Sequence, residues 1–199
     1  MYKKRPFEIS IRFFICVLGV ALFGVLSVYA YSFGYSLNAN YVTQAKSCWC
    51  WAASAENAII YEYPQKPYTQ WDAVRYIKGS FLDLYPDTGG TIFEAGAAAT
   101  YISNNTEFYS SSETTKTYSF LKNEINSNHP VIVSSGYYSG GLRTGGHDTL
   151  IIGWAEYNGE ENVSYFDPDL CSYEVCTFSS FCDGSYNGGM YEFTSYNIH

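Results

Sequence analysis

The spacing of apolar residues changes character several times along the chain, and those changes divide it. From about Phe13 to Ala30 almost every position is apolar, whereas Tyr31 to Val42 is polar and irregular, rich in Asn, Ser and Gly. Cys50–Glu62 then places Ala52, Ala53, Ala55, Ala58, Ile59 and Ile60 ahead of Pro64. Apolar over much of its circumference, this stretch predicts a central, largely buried helix. Thr69 is placed to cap a second, amphipathic helix with Trp71, Val74 and Ile77 on one face, ended by Gly79. Thr91-Ile-Phe-Glu94 has the capping-box form and opens a third helix reaching about Ile102. A polar loop is expected from Asn104 to Thr115, and Phe120, Leu121 and Ile125 mark a short fourth helix.

Pro130 changes the regime. Val131–Ser134, Thr149–Trp154, Asn162–Phe166 and Met190–Thr194 are short and β-branched or aromatic, with Gly-rich turns between them, and read as antiparallel strands. Helices first and strands later predict an α+β domain. At 199 residues the chain has room for one domain after its N-terminal segment is set aside. The expected organisation is an N-terminal segment over 1–30, a linker over 31–40 and a single folded domain over 41–199.

The apolar run follows Met-Tyr-Lys-Lys-Arg, which is the order of a secretory signal, with Ala30 or Ala39 as cleavage sites. Its length is also near that of a bilayer span, so an uncleaved membrane anchor over residues 13–30 is the alternative. Either way Lys3, Lys4 and Arg5 stay inside and the domain is delivered outside the cytoplasm. The formal net charge is −8; setting aside Lys3, Lys4, Arg5, Arg12 and Glu8, a net +3, leaves about −11 on the remainder. So acidic a body offers no cationic surface to replace phosphate counterions, which argues against a nucleic-acid partner.

The exported part holds Cys48, Cys50, Cys171, Cys176 and Cys182. In an oxidising compartment an odd number predicts two disulfides and one free thiol. The spacing of the last three matches no common zinc pattern, and no metal or cofactor is expected.

Cys50 has the setting of a nucleophile. It opens the Ala-rich helix, where unpaired N–H groups and the positive end of the helix dipole favour a thiolate. Gln44, six residues earlier, is an amide donor of the kind that stabilises an oxyanion. Of three histidines, His199 is terminal and His129 precedes Pro130 at the start of a core strand. His147 follows Gly145-Gly146 at a strand mouth and is the expected base. If Thr149–Trp154 and Asn162–Phe166 form a hairpin centred near Tyr157, Asp167 falls directly across from His147. A one-residue slip would separate them onto opposite faces, with Asp169 as the fallback carboxylate. Trp51 is expected to pack beneath the site and Trp49 to line a cleft.

Gln44, Cys50-Trp51-Ala52-Ala53-Ser54, Gly146-His147 and Tyr165-Phe166-Asp167-Pro168, in that order, resemble the papain-like cysteine peptidase superfamily. Within it they look like its short bacterial secreted members, including staphopain-like and bacteriocin-leader-processing peptidases. The resemblance implies two lobes, helical then antiparallel β, with a cleft between them. It also implies Cys50 as nucleophile, His147 as base and acid, Asp167 as the orienting carboxylate, and Gln44 with the Cys50 N–H as oxyanion hole. Cys48 departs from the pattern, and as a nucleophile it would stand too near Gln44 and too far from the helix start. The expected function is peptide-bond hydrolysis by a secreted monomer on peptide or protein substrates. Two alternatives keep the scaffold: a transpeptidase or amidase using the same acyl-enzyme, and a disulfide-stapled binding module without turnover.

Overall fold

The computed structural model describes residues 32–197. The apolar run over 13–30 and His199 lie outside them; among the described residues no helix is long and apolar enough to cross a membrane. In order, the chain forms β1 (Ser32–Ser36), α1 (Cys50–Glu62), α2 (Gln70–Ile77), α3 (Ile92–Ile102), β2 (Tyr109–Ser112), α4 (Tyr118–Asn126), β3 (Val131–Ser139), β4 (Leu142–Tyr157), β5 (Glu160–Asp167), β6 (Ser172–Thr177), α5 (Phe178–Asp183) and β7 (Met190–Asn197). This is the expected α+β domain, with a helical first half and an antiparallel sheet in the second.

α1 covers the stretch expected of it and is buried from Trp51 through Ile59. Its small Ala side chains let α3, α2 and β4 pack closely around it, which makes it the centre of the helical half. Thr69 and Thr91 each head a complete capping box, with Asp72 and Glu94 as the returning carboxylates. On α2 the buried face is Gln70, Ala73 and Val74, while Trp71 is 42% exposed and lies edge-on to Trp49.

The sheet runs β2-β7-β3-β4-β5-β6, antiparallel along the whole path, with β1 pairing β4 off it. Several strands exceed their apolar cores. β4 extends to Leu142 and Tyr157, so the segment 137–146, which lies between the apolar cores of β3 and β4, is mostly strand with a turn at Gly140-Gly141. Four elements were not visible in the pattern. β1 lies in the segment read as a linker and β2 in the segment read as a loop, while β6 and α5 occupy a cysteine-containing stretch without clear periodicity.

β4 and β5 meet at Asn158-Gly159, both at positive φ (51° and 81°), the two-residue turn that matches strand twist. Tyr157 pairs Glu160, one residue and a half beyond the expected centre. A bulge at Ile152 then shifts the register, so that Leu150 pairs Phe166. At that bulge the Ile152 carbonyl accepts a hydrogen bond from Leu37 N–H at 2.7 Å, tying the N-terminal segment to the sheet.

Candidate active site

Cys50 is the first residue of α1. No side chain caps that helix end, so the N–H groups of its first turn remain available to an anion at the thiol. Cys50 is partly exposed. One turn further on, Ser54 Oγ donates a buried hydrogen bond of 3.0 Å to the carbonyl of Asp148, the residue after His147. That contact fixes the helix bearing Cys50 against the strand bearing His147. Beneath, Trp51 is fully buried and donates from Nε1 to Thr88 O at 3.2 Å, while Gly90 lies against its indole. Trp49 is also fully buried, donating to Pro86 O at 2.9 Å, and so belongs to the core and not to a cleft wall. Its position just before the helix turns the ring inward, under Lys46 and against Trp71.

His147 Nε2 and Asp167 Oδ1 are 2.8 Å apart. Burial alone would lower the imidazole's pKa, but the bonds and charges of Asp167 and of Cys50 push it up to about 10. Burial likewise opposes charge on Asp167, and the bond from His147, its charge, and the N–H groups of Asp169 and Leu170 hold the carboxyl below its ordinary value. Asp148, the next residue along the strand, is buried and pushed up to about 6 by that burial, with Ser134, His147 and Arg143 acting against it. The expected partners Cys50, His147 and Asp167 are thus brought together. They meet by a diagonal route, since Asp167 is not directly across from His147 as the sequence reading placed it.

Gln44 stands beside the loop leading to Cys50. Its Nε2 donates to Ser47 O at 3.0 Å and to Asp169 Oδ1 at 2.9 Å, and its backbone N–H donates to Pro168 O at 2.8 Å. Asp169, the fallback partner for His147, therefore serves Gln44 instead. Ser47 and the Cys48 N–H are held by Asp87, at 2.7 and 2.9 Å, and those bonds keep the Asp87 carboxyl low.

Among the described residues all five cysteines are free thiols, so the two expected disulfides are not present. Cys48 and Cys171 are exposed on loops, whereas Cys176 and Cys182 are buried or half-buried in β6 and α5, where burial pushes both thiols up to about 11. Among the same residues no cluster of His, Cys, Asp and Glu is placed to hold a metal ion.

Residues 36–187 match the model of the Peptidase_C39 like family. The chain belongs to that family. Solved structures with the same architecture are papain-like cysteine peptidases. A digestive procathepsin L2 proteinase from the larval midgut of Tenebrio molitor aligns with a TM-score of 0.55 at 14% identity, over 81% of this chain and 65% of that one. The chain thus spans under two thirds of that proteinase. A procathepsin B from Trypanosoma congolense gives 0.53 at 11% identity, over 80% and 73% of the two chains. A double glycine motif protease from an AMS/PCAT transporter, solved with the leader peptide, gives 0.50 at 13% identity, over 83% of this chain and 95% of that one. At such identities the likeness concerns the fold. No protein of curated function matches this chain.

Sequence reasoning quoted Ser54 within the motif but gave it no role. Its signal was there: a hydroxyl four residues after the cysteine, among alanines on a helix buried on nearly all sides.

Proposed function

We propose that this papain-like chain is an exported cysteine peptidase that hydrolyses peptide bonds through an acyl-thioester on Cys50. The observation that carries the reading is the His147–Asp167 bond of 2.8 Å on an imidazole that also bonds to Cys50 at an uncapped helix start. Raised to about 10, the ring is cationic at neutral pH, the state that supports a neighbouring thiolate. Sulfur attacks the substrate carbonyl, and His147 gives its proton to the departing amine. Water, deprotonated by the now neutral ring, then attacks the thioester, and the proton returns to restore the pair. Asp167 keeps the ring in one tautomer and orientation throughout. The Cys50 N–H and Gln44 are the donors assigned to the oxyanion.

Peptide or protein substrates follow from the family. Export rests on the basic start and apolar run of the first thirty residues, and the domain is proposed to act as a monomer outside the cytoplasm, released or anchored by residues 13–30. The test is a peptide-library cleavage profile of the purified protein beside Cys50→Ala and Cys48→Ser. Cleavage that survives Cys50→Ala, or that disappears in Cys48→Ser alone, would remove Cys50 from its role.

A further inference from the structure

The Gln44 carboxamide has both of its protons engaged. Nε2 gives one to Ser47 O and the other to Asp169 Oδ1, while Oε1 is buried with no hydrogen-bond partner. Chemistry fixes this orientation of the amide. A carbonyl and an ionised carboxylate only accept, so turning the group over would set its oxygen against two acceptors. Asp169 is itself held, because its N–H donates to Asp167 Oδ1 at 2.9 Å and the preceding Pro168 O accepts from Gln44 N–H. Its charge reaches the site as well. The Tyr137 phenol, raised first by burial, is raised further by Asp167, Cys50 and Asp169 together.

We propose that Asp169 is a positioning residue that clamps Gln44 in the resting enzyme, so that a developing oxyanion must take the amide proton away from a carboxylate. The proposal rests on the cysteine peptidase reading given above. An amide bond to a carboxylate is stronger than one to a neutral carbonyl, so a bound but unreacted substrate does not displace it. Competition begins only when negative charge grows on the substrate oxygen, and the two like charges then repel across a few ångströms. A penalty confined to the transition state appears in kcat and not in KM. Asp169 is exposed, so water moderates the repulsion and the effect stays well below the loss of a whole oxyanion donor.

The experiment measures kcat and KM on one cleaved peptide for the wild type, Asp169→Asn, Asp169→Ala, Gln44→Ala and the Asp169→Asn/Gln44→Ala double variant. Both Asp169 variants should raise kcat by about threefold to tenfold with KM within about twofold. The double variant should show no gain over Gln44→Ala, because the clamp acts through that amide. A fall in kcat in both Asp169 variants overturns the proposal, as does a gain that persists without Gln44. The Gln44 side-chain amide resonances give a readout that needs no turnover. One of the two protons should move clearly in Asp169→Asn, and an unmoved pair overturns the clamp. If the wild type cleaves no peptide while that resonance moves, the peptidase reading fails and the clamp is retained.

Discussion

Asp167 reaches His147 along a diagonal of the β4–β5 ladder, and the bulge at Ile152 is what turns their side chains to one face. Continued from the Tyr157–Glu160 pair, a regular ladder would set Asp167 across from Leu150, on the face opposite His147. The extra residue restores parity. With Leu150 against Phe166, Asp167 falls beside Thr149 and one diagonal step from His147, within reach of a long polar side chain.

Removing the carboxylate should be visible at the ring before it is visible in turnover. Because the folded imidazole titrates near 10 and not at 6.5, its contacts add stability in full below pH 6.5, and that contribution is lost as pH rises toward 10. In Asp167→Ala the His147 midpoint, followed by NMR, should fall by at least about one unit. Activity should drop on the order of 10²–10⁴-fold. An unchanged midpoint would show that Asp167 does not hold the charge.

Ser54→Ala removes the hydroxyl that fastens α1 to β4 one residue from His147. A buried bond of this kind contributes about 1 kcal/mol, so the fold should survive with a melting temperature lowered by a few degrees. The expected signature is a fall in kcat with KM little changed, as the Cys50–His147 spacing loosens. Steady-state kinetics beside thermal unfolding separates this from general destabilisation.

Gly90→Ala tests the floor of the site. A Cβ there would stand 2.4 Å from ring atoms of Trp51, which is fully buried and cannot swing away. Overpacking should cost about 1–3 kcal/mol in chemical denaturation. It should also reduce alkylation of Cys50 by iodoacetamide, since the displaced indole belongs to the next residue.

Glu62 supplies a pH dependence remote from the chemistry. Burial raises its pKa to about 8, against the bonds from Tyr109 and Asn197, with Glu107 and Glu124 raising it further. The folded state therefore holds a proton that the unfolded chain releases at 4.5, and stability should decline by about 1.4 kcal/mol per pH unit between those values, then level off. Glu62→Gln should flatten that slope and stabilise the protein at pH 8, as read by urea unfolding at several pH values.

The four main helices were legible from local signals: a run of alanines ahead of Pro64 for α1, a capping Thr at the head of α2 and α3, and the apolar Phe120, Leu121 and Ile125 for α4. Cys50 and His147 stood out by a helix start and by the glycines before a strand. The partner of His147 was legible in identity but not in route. Its position depends on where the hairpin turns and on one bulged residue, and Ile152 has the composition of any core strand position. Asp169 was read as a stand-in for Asp167 because spacing alone does not say which neighbour an exposed carboxylate serves. β1 and β2 escaped because an edge strand gains its hydrogen bonds from a distant partner and needs no apolar alternation of its own. The disulfides were inferred from compartment and count, and neither fixes where thiols lie in space.

The bonds that build the site span very different lengths of chain. His147 and Asp167 are 20 residues apart across a tight hairpin, while Ser54 and Asp148 are separated by 94 and Gln44 and Asp169 by 125. Closing the longer loops carries the larger entropic cost, so the hairpin can bring His147 to Asp167 before Cys50 arrives. On that order Cys50 meets His147 only once the helical half has docked on the sheet through contacts such as Ser54 to Asp148, so the site is the joint product of both halves of the chain and of neither alone.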